Sequence, residues 1–172
     1  MIIRKANFDD IPCIAQVNVD SWRSAYKGIV PDDFLSDLSY EKQEMKWEKR
    51  IQNKQCGIYV AENSSGQIIG YANNGPERSG NPFYDSELYA IYILKEYQRQ
   101  GVKRLIQQMV KEGMSSFLVW VLAKNPSRRF YEKLGGKKLG TQYIEIGNVN
   151  LEEVAYGVDS NHFRQKEPAP LY

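Results

Sequence analysis

Residues 87–94 read Glu-Leu-Tyr-Ala-Ile-Tyr-Ile-Leu, a run of β-branched and aromatic side chains with no polar face. A strand that buries only one side alternates apolar with polar residues. A run without that alternation belongs in the middle of a sheet covered on both faces. Residues 117–123 form a second buried strand by the same argument. The 172-residue chain, 42% hydrophobic, is long enough to cover such a sheet around one core.

The flanking segments supply the cover. Residues 2–5 predict a first strand, after which Asp9 or Asp10 caps a helix carrying Ile11, Ile14, Ala15, Asn18, Val19 and Trp22 at helical spacing. Residues 28–31 break that pattern. Ser39 then precedes a charged surface helix with Trp47 and Ile51 as its narrow apolar stripe. Residues 56–62 and 67–72, joined by Asn-Ser-Ser-Gly, read as an antiparallel hairpin, and a loop over residues 73–86 leads into the central strand. Beyond Gln98-Arg99-Gln100-Gly101, Leu105, Ile106, Met109 and Val110 recur at helical spacing, and residues 126–134 predict a second helix ending at Gly135-Gly136. Residues 141–146 and 151–158 form a closing hairpin around Gly147-Asn148. These elements define one domain over residues 1–158 and a polar C-terminal tail, outside the core, over residues 159–172.

Twenty-three lysines and arginines stand against 21 acidic residues, a net charge of +2 that provides no general field for nucleic acid or an anionic membrane. Neither is an expected partner. Cys13 and Cys56 lack the spacing of a zinc site or a disulfide framework and are expected to be buried thiols. His162 is the only histidine and falls in the tail, so no metal site is expected. The start of the chain has no apolar stretch of signal length, and a cytoplasmic protein is the expectation.

A strand, then Gln-Arg-Gln-Gly, then an amphipathic helix places the unpaired amides of a helix start where they can face an anion such as a pyrophosphate. The segment is neither a Gly-Lys-Ser/Thr phosphate loop nor a GxGxxG dinucleotide fingerprint. One strand later, residues 120–136 read WVLAKNPSRRFYEKLGG. Together the two segments resemble the acetyl-CoA-binding core of the GNAT superfamily of N-acetyltransferases, with its Gln/Arg-x-x-Gly-x-Gly/Ala loop and later Asn-x-x-Ala/Ser-x-x-Phe-Tyr-x-x-x-Gly. The element order is similar over nearly the whole chain, although only residues 87–136 carry diagnostic motifs.

The resemblance implies an α/β fold of mixed α+β character, with a central, mostly antiparallel twisted sheet of six to seven strands flanked by about four helices. It implies acetyl-CoA as cosubstrate, without a metal, and a small-molecule or protein amine as acceptor; a homodimer is compatible with it. The family pattern puts the pyrophosphate on the amides of Gln98, Arg99, Gln100, Gly101 and Val102 and the adjoining Lys103. It puts pantetheine along Ile93 and Leu94, with Asn125 and the Ser127 of the same motif as further contacts. Tyr131 matches the general acid. A phenol suits that role, because a pKa of about 10 keeps it protonated and able to donate to a departing thiolate. Glu87, eleven residues before Gln98, matches the general base of histone-type members. By period two it shares a strand face with Tyr89, Ile91 and Ile93, which would turn it into the cleft that holds the thioester.

The chain departs from the pattern at the loop, where Gly101-Val102 runs into Lys103-Arg104-Leu105-Ile106 without the second glycine. Either Lys103 replaces that glycine, or one residue is deleted and Lys-Arg-Leu-Ile returns to the usual register, the preferred account. Lys103-Arg104, Arg128-Arg129 and Lys137-Lys138 could meet phosphate charges, though the last two pairs read as solvated faces. The acceptor is expected near Trp22, Tyr26, Trp47 and residues 73–86. The resulting expectation is an N-acetyltransferase working by direct attack of the amine; the alternative is a non-catalytic acyl-CoA-binding or protein-interaction module on the same fold.

Overall fold

The computed structural model describes residues 1–97, 101–159 and 163. In chain order the elements are β1 (Ile2–Lys5), α1 (Ile11–Ala25), α2 (Asp32–Ser36), α3 (Tyr40–Ile51), β2 (Gly57–Glu62), β3 (Ile68–Pro76), β4 (Ser86–Ile93), α4 (Val102–Lys111), β5 (Ser116–Leu122), α5 (Arg128–Lys133), β6 (Lys137–Ile146) and β7 (Val149–Asp159). The strands form one seven-stranded sheet in the order β1-β2-β3-β4-β5-β7-β6. Every neighbouring pair is antiparallel except β4–β5. Among the described residues five α-helices flank it where about four were expected; the additional one, α2, is a five-residue turn of helix behind Pro31.

Both faces are covered, as the apolar β4 run requires. On one face Ile14 and Val17 of α1 and Trp47 of α3 pack against Val60 and Tyr71. On the other, Leu105, Ile106 and Met109 of α4 and Tyr131 of α5 pack against Leu88, Phe117 and Tyr156. Trp47 is 1% exposed, with its ring 4.9 Å from that of Tyr71, so it belongs to this core and not to an acceptor site.

Two irregularities decide where a site can form. Asn73 pairs with Ala90 and Asn74 with Leu88, which leaves Tyr89 as an extra residue on β4. Such a bulge reverses the alternation of side chains. Leu88 before it and Ile91 and Ile93 after it all face α4, so Glu87 faces α1, opposite to Ile91 and Ile93. The shared face expected from unbroken period two does not exist. The second irregularity is that β4 and β5 pair only through Ser86–Phe117 and Glu87–Leu118. Beyond those residues the two strands separate.

Several local expectations are revised. Cys13 is exposed and Cys56 half-buried, so neither is a buried thiol. The cap before α1 is not made by an aspartate: Asn7 caps a short 3-10 turn over Phe8–Asp10, and the Asp10 carboxylate makes no cap bond to α1. Asp10 instead accepts two bonds from Arg4, at 2.7 and 2.8 Å, which hold its carboxyl below the usual carboxylate range and tie β1 to α1. The loop expected over residues 73–86 is shorter, because β3 runs on to Pro76. At the closing hairpin Gly147 and Asn148 have φ of 59° and 61°, the left-handed pair a two-residue turn between twisted strands demands. Phe163 is 2% exposed and packs on Phe117, so the chain beyond β7 returns to the core at that residue. His162 lies outside the described residues.

Candidate active site

Where β4 and β5 part, a cleft of about 560 Å³ runs through the sheet. Tyr26, Tyr92 and Trp120 line it on the α1 face, and Ile93, Val102 and Tyr131 line it toward α4 and α5. The cleft arises from topology. A parallel pair set between two antiparallel halves can open at one end, because β4 stays paired with β3 and β5 with β7.

Tyr131 is 5% exposed, wedged between Phe130, edge-on at 5.3 Å, and Tyr156, stacked at 6.4 Å. Burial pushes its phenol well above the ordinary tyrosine pKa, and the charge of a nearby Tyr26 would push it further. Its hydroxyl makes no hydrogen bond with any described residue. Asn125 lies at the opening of the turn before α5. Its Oδ1 accepts from the Ser127 amide at 2.9 Å, and its side chain also reaches the Tyr26 hydroxyl. Arg128 donates to the Ala123 carbonyl at 2.9 Å, so this arginine fastens the turn and is not a free cation. Asn125, Ser127 and Tyr131 all border the cleft.

Gly101 is the N-cap of α4, without a side-chain cap bond. The first-turn amides of Val102 and Lys103 therefore have no acceptor within the helix. A Cβ on Gly101 would stand 2.2 Å from Ile93 Cδ1, so a side chain there would require the Ile93 side chain to move. Lys103 and Arg104 are exposed while Leu105, Ile106 and Met109 are buried, so the helix keeps its apolar face inward in the register present. Gln98, Arg99 and Gln100 lie outside the described residues. An anion at the α4 start, an extended chain beside Ile93 and a thioester near Tyr131 would fit the cleft as a CoA ester requires. Leu94 donates its amide to Ile69 at 2.9 Å and does not line the cleft, which leaves Ile93 as the bordering residue of that pair. Among the described residues no group of three or more His, Cys, Asp or Glu could hold a metal ion, and no helix is long and apolar enough to cross a membrane.

Glu87 is held elsewhere. Its carboxylate, 3% exposed, accepts from the Arg78 amide at 3.1 Å, from Nε at 3.2 Å and from a terminal guanidinium nitrogen at 2.5 Å. Arg78 in turn covers the Tyr89 ring at 3.9 Å. Glu87 does not border the cleft.

Two residues of the site escape sequence reasoning. Tyr92, whose hydroxyl is 3.0 Å from that of Tyr26, reads as one more aromatic in a buried strand. Trp120 reads as part of an ordinary strand. Of the residues expected near the acceptor, Tyr26 lines the cleft, and Trp22 packs on it at 4.6 Å without bordering the cleft itself.

The FR47-like protein family matches residues 81–144, the stretch from the loop before β4 into β6. A Bacillus subtilis (strain 168) protein described as an uncharacterized N-acetyltransferase, YuaI, is 41% identical over 160 residues, which cover 90% of this chain and 91% of that protein. Among solved structures, a ribosomal-protein-alanine N-acetyltransferase from Brucella melitensis superposes with a TM-score of 0.69 at 21% identity over 92% of this chain and 99% of its own. The PaiA N-acetyltransferase from Thermoplasma acidophilum, solved in complex with coenzyme A, superposes with a TM-score of 0.62 at 20% identity, over 89% and 96%. A variant of the spermidine N-acetyltransferase SpeG from Vibrio cholerae gives 0.65 at 18%, over 97% and 100%. This chain belongs to the GNAT superfamily of N-acetyltransferases.

Proposed function

We propose that the protein transfers an acetyl group from acetyl-CoA to an amine by direct attack, with Tyr131 donating a proton to the departing sulfur. One observation carries the reading: a single cleft between the splayed ends of β4 and β5 has the first turn of α4 and the Tyr131 phenol on its walls. A pyrophosphate suits the α4 amides, with Lys95 beside the cleft and exposed Lys103 in the first turn as its cations. The amine enters from the α1 side, past Tyr26. Burial keeps Tyr131 protonated at neutral pH, so its proton is available when the sulfur becomes anionic. Glu87, with both oxygens engaged by Arg78, serves by fastening the segment between β3 and β4.

Calorimetric titration with acetyl-CoA, followed by measurement of CoA thiol release over a panel of amines, tests the reading. Tyr131→Phe is expected to lower kcat by about 10- to 1000-fold with little change in acetyl-CoA affinity, because the hydroxyl acts only as sulfur leaves. Acetyl-CoA binding without turnover on any amine would favour a non-catalytic acyl-CoA-binding module. Unchanged turnover in the variant would remove Tyr131 from the mechanism.

A further inference from the structure

Trp120 is the aromatic side chain of the cleft that the fold leaves unpaired. Along β5, Phe117, Val119 and Val121 pack toward α4, whereas Leu122 packs with Tyr26 on the α1 face, so by alternation Trp120 faces α1 as well. It is half-buried and lines the cleft, yet its ring packs on no aromatic ring among the described residues and its indole N–H donates to none of them. The other two tryptophans differ: Trp22 packs on Tyr26 at 4.6 Å and Trp47 on Tyr71 at 4.9 Å. Tyr26 and Tyr92 are locked together, their rings edge-on at 6.5 Å and their hydroxyls 3.0 Å apart, so they present fixed aromatic surface to the same cleft.

The charge pattern narrows what can bind there. Among the described residues that line the cleft none is acidic, and the single cation, Lys95, follows β4 on the way to α4. Ser21 on α1, 6% exposed, borders the cleft and adds a neutral Oγ without a hydrogen-bond partner. A second positive charge on an acceptor would enter with no carboxylate to receive it. An aromatic ring would meet those of Trp120, Tyr26 and Tyr92.

We propose that the acceptor is an arylalkylamine, a primary amine with a single basic nitrogen joined by a short arm to an aromatic ring that packs against Trp120. The inference rests on the acetyltransferase reading above and makes Trp120 a specificity-determining residue for it. The rings attract the ammonium form by their quadrupoles. No carboxylate on the lining holds the nitrogen in that unreactive state, and desolvation favours the neutral amine that attacks the thioester. The cleft, about 560 Å³, is of small-ligand size and must also take the acetyl-bearing end of CoA, which favours a compact acceptor over a peptide.

The experiment uses the full chain and two readouts: calorimetric binding of tyramine, spermidine and an alanine-terminated peptide to the CoA-loaded protein, and thiol release from acetyl-CoA with each. Tyramine is expected to bind and to exceed the other two in kcat/KM by about 10-fold or more. Trp120→Leu, which keeps an apolar side chain on the strand, should raise the tyramine KM about 10-fold, with kcat within about threefold and acetyl-CoA affinity unchanged. Trp120→Phe should recover most of that loss. Spermidine or the peptide matching tyramine overturns the proposal, as does a Trp120→Leu enzyme with the wild-type tyramine KM or a failure of tyramine to bind. Should the Leu variant not fold, the wild-type ranking of the three amines decides. Turnover of spermidine or the peptide alone overturns this inference and leaves the acetyl-transfer reading standing. Tyramine binding that weakens in Trp120→Leu, with no thiol release from any amine, supports the aromatic-amine site and strikes at the acetyl-transfer reading instead.

Discussion

At its start the β4–β5 pair is closed by strand pairing, by buried Leu88 and Leu118, and by the Glu87–Arg78 ion pair; further along, the same two strands stand apart around a cleft lined with phenols. The closed end spends its polar groups on one another. The open end keeps the Tyr131 hydroxyl without a bond to any described residue. The difference shows how a sheet houses a reaction without a separate domain. Each strand retains its outer neighbour, so the unzipped length costs only the pairing between two strands, while the opening exposes both faces to a ligand.

The comparison predicts graded responses. Inserting one glycine between Val102 and Lys103 is expected to have the largest effect, because each added residue turns the remainder of the helix by about 100°. Leu105, Ile106 and Met109, now 0%, 0% and 1% exposed, would leave the core, and both Tm and acetyl-CoA affinity should fall in thermal melts and calorimetry. Tighter binding at unchanged Tm would instead support a deleted loop residue. At the closed end Leu118→Ala is expected to lose about 2–5 kcal/mol of stability in denaturant titration, since Leu118 is 1% exposed. Its kcat per folded molecule should hold, and a large fall in kcat would mean that the two ends are mechanically coupled. Tyr92→Phe should have the smallest effect, removing one phenol contact worth about 0.5–1.5 kcal/mol and lowering kcat/KM a few fold in the thiol-release assay.

Much of this architecture is legible in the sequence. The unalternating β4 run requires two covered faces, the spacing of Leu105, Ile106 and Met109 gives α4 its inward stripe, and Gly147-Asn148 marks the final hairpin. Asn125 and Tyr131 are legible through their motif, and both border the cleft. The hidden part is non-local. Nothing in residues 87–94 says that Tyr89 is a bulge, because that depends on Asn73 and Asn74 across the strand pair, and the bulge alone turns Glu87 away from Ile91. Trp22 and Trp47 both obey helical spacing, yet one meets Tyr26 at the opening and the other Tyr71 in the interior, a choice made by the sheet beneath them. Trp120 carries no motif and borders the cleft only because β5 parts from β4 beyond Leu118.

The turn at Gly147 has a further effect through where it lands. A Cβ at that position would come within 2.9 Å of the Phe34 Cβ and 3.3 Å of Pro31, so the tip of the last hairpin rests on α2, an element from the first quarter of the chain. Such a contact spans most of the sequence, and contacts of that kind form late. A chain emerging from the ribosome can pair β1 through β4 and seat α1 and α3 while the apolar cover over the aromatic cluster of α1 and α2 does not yet exist. That cover is completed only when Ile144, Ile146 and Leu151 of the hairpin fold back, so a chain cut before residue 137 would display Trp22, Tyr26 and Phe34 as a naked aromatic surface, the form most exposed to aggregation and to chaperone capture during synthesis.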